Sequence, residues 1–186
     1  IFEEQKSLPI LNLQLIFKNA GYIKDKNNLG LANLSSKILN EGTKELGATK
    51  FAEKLDDNAI TLHSSIGFET FIIELSSLKE KSDLALELLS ALLKSPNISE
   101  EALSKVKTLT IGSIKRKEND FDDVASKGLN SILYKGTPLE NPSNGTIETI
   151  SKIDLKDIKK FVDDSLVLNN LIVVAGGDIS LDELQK

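Results

Sequence analysis

Polar and apolar residues alternate between Pro9 and Lys18: Leu11, Leu13, Leu15 and Phe17 fall on one side, and Ile10, Asn12, Gln14 and Ile16 on the other. A period of two marks a strand with one buried face. Residues 9–18 are therefore predicted as a strand, and the short run 1–5 as a second. Beyond a polar turn around Gly21 the period becomes helical. In residues 30–43, GLANLSSKILNEGT, the positions Leu31, Leu34, Ile38 and Glu41 share a stripe, Leu34, Ile38 and Leu39 supply its apolar part, and Gly42 stops it. A short helix is predicted over 47–57, with Thr49 as N-cap and Ala52 and Leu55 inward. Two β-rich runs, 58–67 and 68–77, read as an antiparallel pair. A strong amphipathic helix spans 80–96 up to Pro96. Residues 99–135 hold two helices with a bend near Asn119 and Asp120. Their apolar positions are Leu103, Val106, Leu109 or Thr110, Ile114, Phe121, Val124, Leu129 and Ile132. A Pro/Gly/Asn loop follows over 136–146, then a helix over 154–166 capped by Asp154, and a strand over 169–179.

Strands and helices mix without strict alternation. The fold class is α+β, an antiparallel-rich mixed sheet covered by helices. Residues 1–179 read as one domain, and 180–186 as the start of a helix or a linker to a second domain.

Composition narrows the function. The 186 residues carry 23 basic and 28 acidic side chains, a net charge of −5. Counterion-driven binding to nucleic acid needs a basic surface, so that class is disfavoured. No apolar run reaches membrane-spanning length. With no cysteine, disulfides, thiolate metal sites and cysteine nucleophiles are excluded together. His63 is the only histidine, which excludes any two-histidine metal motif; on its own it reads as a strand-surface residue or a satisfied half-buried one. The chain starts at Ile1, contains no methionine, and reads as a fragment or a processed form.

Taken alone, Asn33 and Lys37 would be two solvated residues on a helix face. Their frame changes that. The segment resembles the first helix of insulinase/pitrilysin-type zinc metalloproteases, whose pattern is G-x-A-H-F-x-E-H-x-x-x-x-G-T, close to the mitochondrial processing peptidase branch. Gly30, Ala32, Gly42 and Thr43 match it. The likeness continues through AGY at 20–22, NAIT at 58–61 with Thr70 after it, the segment 134–161, and NNLIVVAGGDI at 169–179.

The resemblance implies the N-terminal half-domain of such a peptidase. In the family, two histidines one turn apart bind zinc, a glutamate between them activates water, and a second glutamate on a later helix completes the ligands. Here those positions are Asn33, Lys37, Ser36 and, by the family's spacing, Ser113. Asn is a weak zinc ligand, and Ser is no base near neutral pH. Lys37 sets a positive charge where a dication would sit, at a cost on the order of several kcal/mol at about 4 Å. No metal and no cofactor are therefore expected, and no hydrolysis by this chain alone.

The resemblance further implies a non-catalytic subunit or domain forming part of a chamber and substrate-binding wall. Its partner would be an active zinc-bearing homologue or a second domain, in a homo- or heterodimer, with peptides as substrates. Asn58, Ala59, Ile60 and Thr61 match the family's peptide-binding edge strand, although Asp56 and Asp57 replace the glycines usual before it. A purely structural or assembly module of the same fold is the alternative, and a zinc-dependent peptidase by family membership ranks last. A bacterial cytoplasm or periplasm ranks ahead of a mitochondrial matrix.

Overall fold

The alternating segment becomes the strand that organises the sheet. In the computed structural model, which describes residues 1–184, the strands are β1 (Phe2–Glu4), β2 (Ile10–Lys18), β3 (Thr61–Ile66), β4 (Thr70–Leu78) and β5 (Leu171–Gly177). They form one sheet in the order β1-β5-β2-β4-β3. Only β1 and β5 run parallel; the other pairs are antiparallel. The mixed α+β architecture is the one expected. Gln185 and Lys186, at the end of the predicted tail, lie outside the described residues.

The helices are α1 (Leu31–Leu39), α2 (Gly47–Asp56), α3 (Ser82–Lys94), α4 (Glu100–Lys117), α5 (Phe121–Leu133), α6 (Ile147–Lys152), α7 (Leu155–Ser165) and α8 (Leu181–Leu184). The bend between α4 and α5 falls where the sequence put it. Asp120 caps α5 by accepting hydrogen bonds from the backbone N–H groups of Asp122 and Asp123. Helix α6 lies just beyond the loop assigned to 136–146 and was not anticipated. It is nucleated by a reciprocal capping box between Thr146 and Thr149, with Thr in place of the usual Glu or Gln.

Two core clusters meet at α1. Leu13, Leu15, Phe17, Phe71, Ile73 and Leu75 from the sheet pack with Ala32, Leu39 and residues of α2, α3 and α7. Leu34 and Ile38, on the other side of α1, pack with Leu103, Val106 and Ile114 of α4 and with Ile150, Ile153 and Ile158. Burying one such aliphatic side chain stabilises by about 1.5–3 kcal/mol, so α1 is anchored from two directions. The opposite face of the sheet (Asn12, Gln14, Ile16, Ile72, Glu74) is half-buried to exposed. There Gln14 Nε2 donates to Glu74 Oε1 at 2.8 Å, and exposed His63 lies in register with Glu74.

Two local expectations are corrected. Helix α2 begins at Gly47, so Thr49 lies inside it and caps nothing. Thr43 Oγ1 instead accepts from the Leu46 N–H at 3.2 Å, and Phe51 rather than Ala52 faces inward beside Leu55. Among the described residues no helix is long and apolar enough to cross a membrane.

Candidate functional site

The approach to α1 is built by Asp25, whose buried carboxylate accepts from the backbone N–H of Gly30 and of Ala32, both at 2.9 Å. Burial pushes its pKa from 3.8 up to about 6, against the downward pull of those N–H donors. Gly30 has φ of +91°, and a Cβ there would stand 2.5 Å from Ile150 Cδ1 and 2.8 Å from the Asn144 carbonyl oxygen. Gly42, at φ +79°, is equally confined by the Gly47 carbonyl and Phe51. Both glycines, with buried Ala32 and Thr43, are needed to seat the helix, whatever its polar face does.

That polar face is wired to its surroundings. Asn33 Nδ2 donates to Asn144 Oδ1 at 3.0 Å, while its own Oδ1 is buried without a partner among the described residues. Ser36 is buried, and its hydroxyl donates back to the Asn33 carbonyl at 2.9 Å. Lys37 Nζ donates to Thr110 Oγ1 of α4 at 2.9 Å, and burial lowers its pKa. Lys105 Nζ reaches Glu41 Oε2 at 2.6 Å, so α1 and α4 run antiparallel. Ser113 is half-buried, with no hydrogen bond to Asn33, Ser36 or Lys37 among the described residues. The residue of α4 that meets Lys37 is thus Thr110, one turn earlier. The sequence marks Thr110 only as a candidate core position, and nothing in it ties Asn144 or Asp25 to α1.

This donor set does not suit zinc. An amide oxygen, a hydroxyl spent on its own backbone and an ammonium offer no strong ligand, and Lys37 is held inward by Thr110. No cluster of three or more His, Cys, Asp or Glu that could hold a metal occurs among the described residues.

The segment 58–61 departs from expectation. Asn58, Ala59 and Ile60 are not strand residues but the turn that closes α2. The Ile60 N–H donates to the Leu55 carbonyl at 3.0 Å, and the Ala59 N–H to the Asp56 carbonyl at 3.1 Å. This is a Schellman motif with Ala59 in the left-handed position, φ +52°. Ile60 is buried in the core, and of these four residues only Thr61 belongs to β3, an edge strand of the sheet.

The model of the insulinase family, peptidase family M16, matches residues 10–147. The chain belongs to this family. The "non-peptidase homolog YmxG" of Helicobacter pylori is 45% identical over all 186 residues, which make up 43% of its length. Cytochrome b-c1 complex subunit 1 of Saccharomyces cerevisiae mitochondria is 26% identical over 98% of this chain and 39% of its own. A crystal structure of a peptidase M16 inactive domain from Pseudomonas fluorescens superposes with a TM-score of 0.93 at 25% identity, covering 99% of this chain and 45% of that one. The chain spans about two-fifths of the length of these curated relatives. It is a zinc-motif-lacking module of the M16 fold.

Proposed function

We propose that this M16 module is a non-catalytic wall: it encloses peptides together with a zinc-bearing partner, either a homologous chain or a second domain, and performs no hydrolysis itself. The observation that carries this reading is the Lys37 ammonium held 2.9 Å from Thr110, at a position that the resemblance would match to a metal ligand of the family. Residues 1–179 would form one module, adjoining the further length that the M16 relatives carry. The peptide-facing surface would be the less buried sheet face, with Gln14, His63 and Glu74, extending to Thr61 at the edge. Of the four positions matched to the family's edge, Asn58, Ala59 and Ile60 would act through the shape of the α2 turn rather than as strand partners.

The test is biochemical. Purified alone, the chain should carry less than stoichiometric zinc and leave peptides intact. Co-expressed with a zinc-bearing homologue, it should co-purify and support peptide hydrolysis that needs both chains. Stoichiometric zinc on the isolated chain, or cleavage by it, would overturn the reading. The 26% likeness to a cytochrome b-c1 complex subunit favours a second possibility, a purely structural module. That reading predicts stable assembly with no peptidase activity in the complex.

A further inference from the structure

We infer that Asn40 acts as a one-residue mock strand closing the outer edge of β3, so that an extended peptide adds there only after Asn40 swings away. In an antiparallel ladder, successive residues direct their backbone groups alternately toward the paired strand and away from it. Strand β3 pairs with β4 on one side only. At Ser64 the N–H donates to Asn40 Oδ1 at 2.8 Å, and Asn40 Nδ2 donates to the Ser64 carbonyl at 2.9 Å. Both backbone groups of Ser64 therefore point away from β4, and one side-chain amide satisfies both. A primary amide carries an acceptor and a donor side by side, as a neighbouring strand does.

The same alternation turns the backbone groups of Leu62 and Ile66 outward, and just before the strand the Ile60 N–H is already held by the Leu55 carbonyl. With Ser64 closed between them, Leu62 and Ile66 are left as separate open positions among the described residues, too little for a ladder. Asn40 is well placed for the task. It is the C-cap of α1 and is itself exposed, while the Ser64 it covers is buried. Ser64 Oγ locks the arrangement by donating to the Ser36 carbonyl at 2.6 Å and reaching Asn40 Oδ1 at 3.1 Å. Covering an edge in this way also keeps copies of the chain from pairing edge to edge.

The hydrogen-bond geometry stands by itself; that peptide is what is kept out rests on the wall reading above. The test uses isotope-labelled full chain and a fluorescent heptapeptide of alternating Thr and Val, with peptide affinity and the Leu62 and Ser64 amide signals as readouts. In the native chain the Ser64 amide should exchange slowly and stay unmoved by peptide. Asn40→Ala should bind the peptide about tenfold tighter or more, since two neutral hydrogen bonds no longer have to be given up, with the Leu62 and Ser64 signals shifting together. Asn40→Asp keeps the acceptor for the Ser64 N–H and loses the donor, so it should fall between; it carries the same comparison if the alanine variant fails to fold. The proposal is overturned if the native chain pairs peptide at Ser64 as tightly as the variants do. It is equally overturned if Asn40→Ala frees the Ser64 amide and gains no affinity. A failure of the wall reading appears elsewhere, in the assembly with a zinc-bearing homologue measured without peptide.

Discussion

Helices α1 and α5 are equally amphipathic in sequence, and the fold treats them in opposite ways. Helix α1 lies between two core clusters, with Leu34 and Ile38 fully buried. Helix α5 buries none of its residues: Phe121 is 90% exposed and Ile132 76%. Its polar side faces the body of the protein. Asp123, Ser126, Lys127 and Asn130 line a cleft of about 240 Å³ against Ile114 and Asn144, and Lys117 Nζ pairs with Asp123 at 3.2 Å. Periodicity reports that a helix has an apolar face. It does not report whether that face is turned inward.

The sharpest way to break this contrast is a pair of truncations followed by denaturant unfolding. Leu34→Ala should cost about 2–5 kcal/mol, because it empties a closed site between α1 and α4. Ile132→Ala should stay within about 0.5 kcal/mol. Equal costs would mean that the α5 face is covered after all.

The two N-termini give the next test. Asp25 caps α1 from a buried position, whereas Asp120 caps α5 from an exposed one. Asp25→Ala should cost about 2 kcal/mol, at the upper end of the capping range, and Asp120→Ala about 0.5–1 kcal/mol. Only the first cap brings a pH dependence. The folded state holds the Asp25 proton up to about pH 6, whereas the ordinary carboxyl value is 3.8. Between those values the folded chain binds more protons than the unfolded one, so this contribution to stability is full below pH 3.8 and is lost as pH rises through about 6. Relative to Asp25→Asn, the native chain should lose stability across that window and run parallel above it in unfolding curves taken at each pH. A smaller effect tests the end of a third helix. Ala59→Gly removes the left-handed strain at the close of α2 and should stabilise by about 1 kcal/mol in thermal unfolding.

The strands and most helices were legible because burial on one face leaves a period that survives in sequence, as in 10–18 and 31–39. The spacing of Gly30, Ala32, Gly42 and Thr43 likewise marked the helix that carries Asn33, Ser36 and Lys37. Contacts made by long side chains or by distant loops were not. Lys37 reaches Thr110 rather than Ser113, and Asn33 meets Asn144 from a loop more than a hundred residues away. At 58–61 the β-rich letters of Ile60 and Thr61 concealed a helix cap. Its left-handed residue is alanine, not the glycine that would have announced it.

The Lys37–Thr110 contact also sets an order on history. While the ammonium stays in place, a histidine at position 33 or a carboxylate at 36 gains nothing, since any arriving dication meets a fixed like charge. On the proposed reading, a return to metal would need position 37 changed, and Lys37→His would gain a ligand there only by leaving Thr110 without its donor. On that reading the contact acts as a ratchet: a ligand restored at position 37 is a tie lost between α1 and α4.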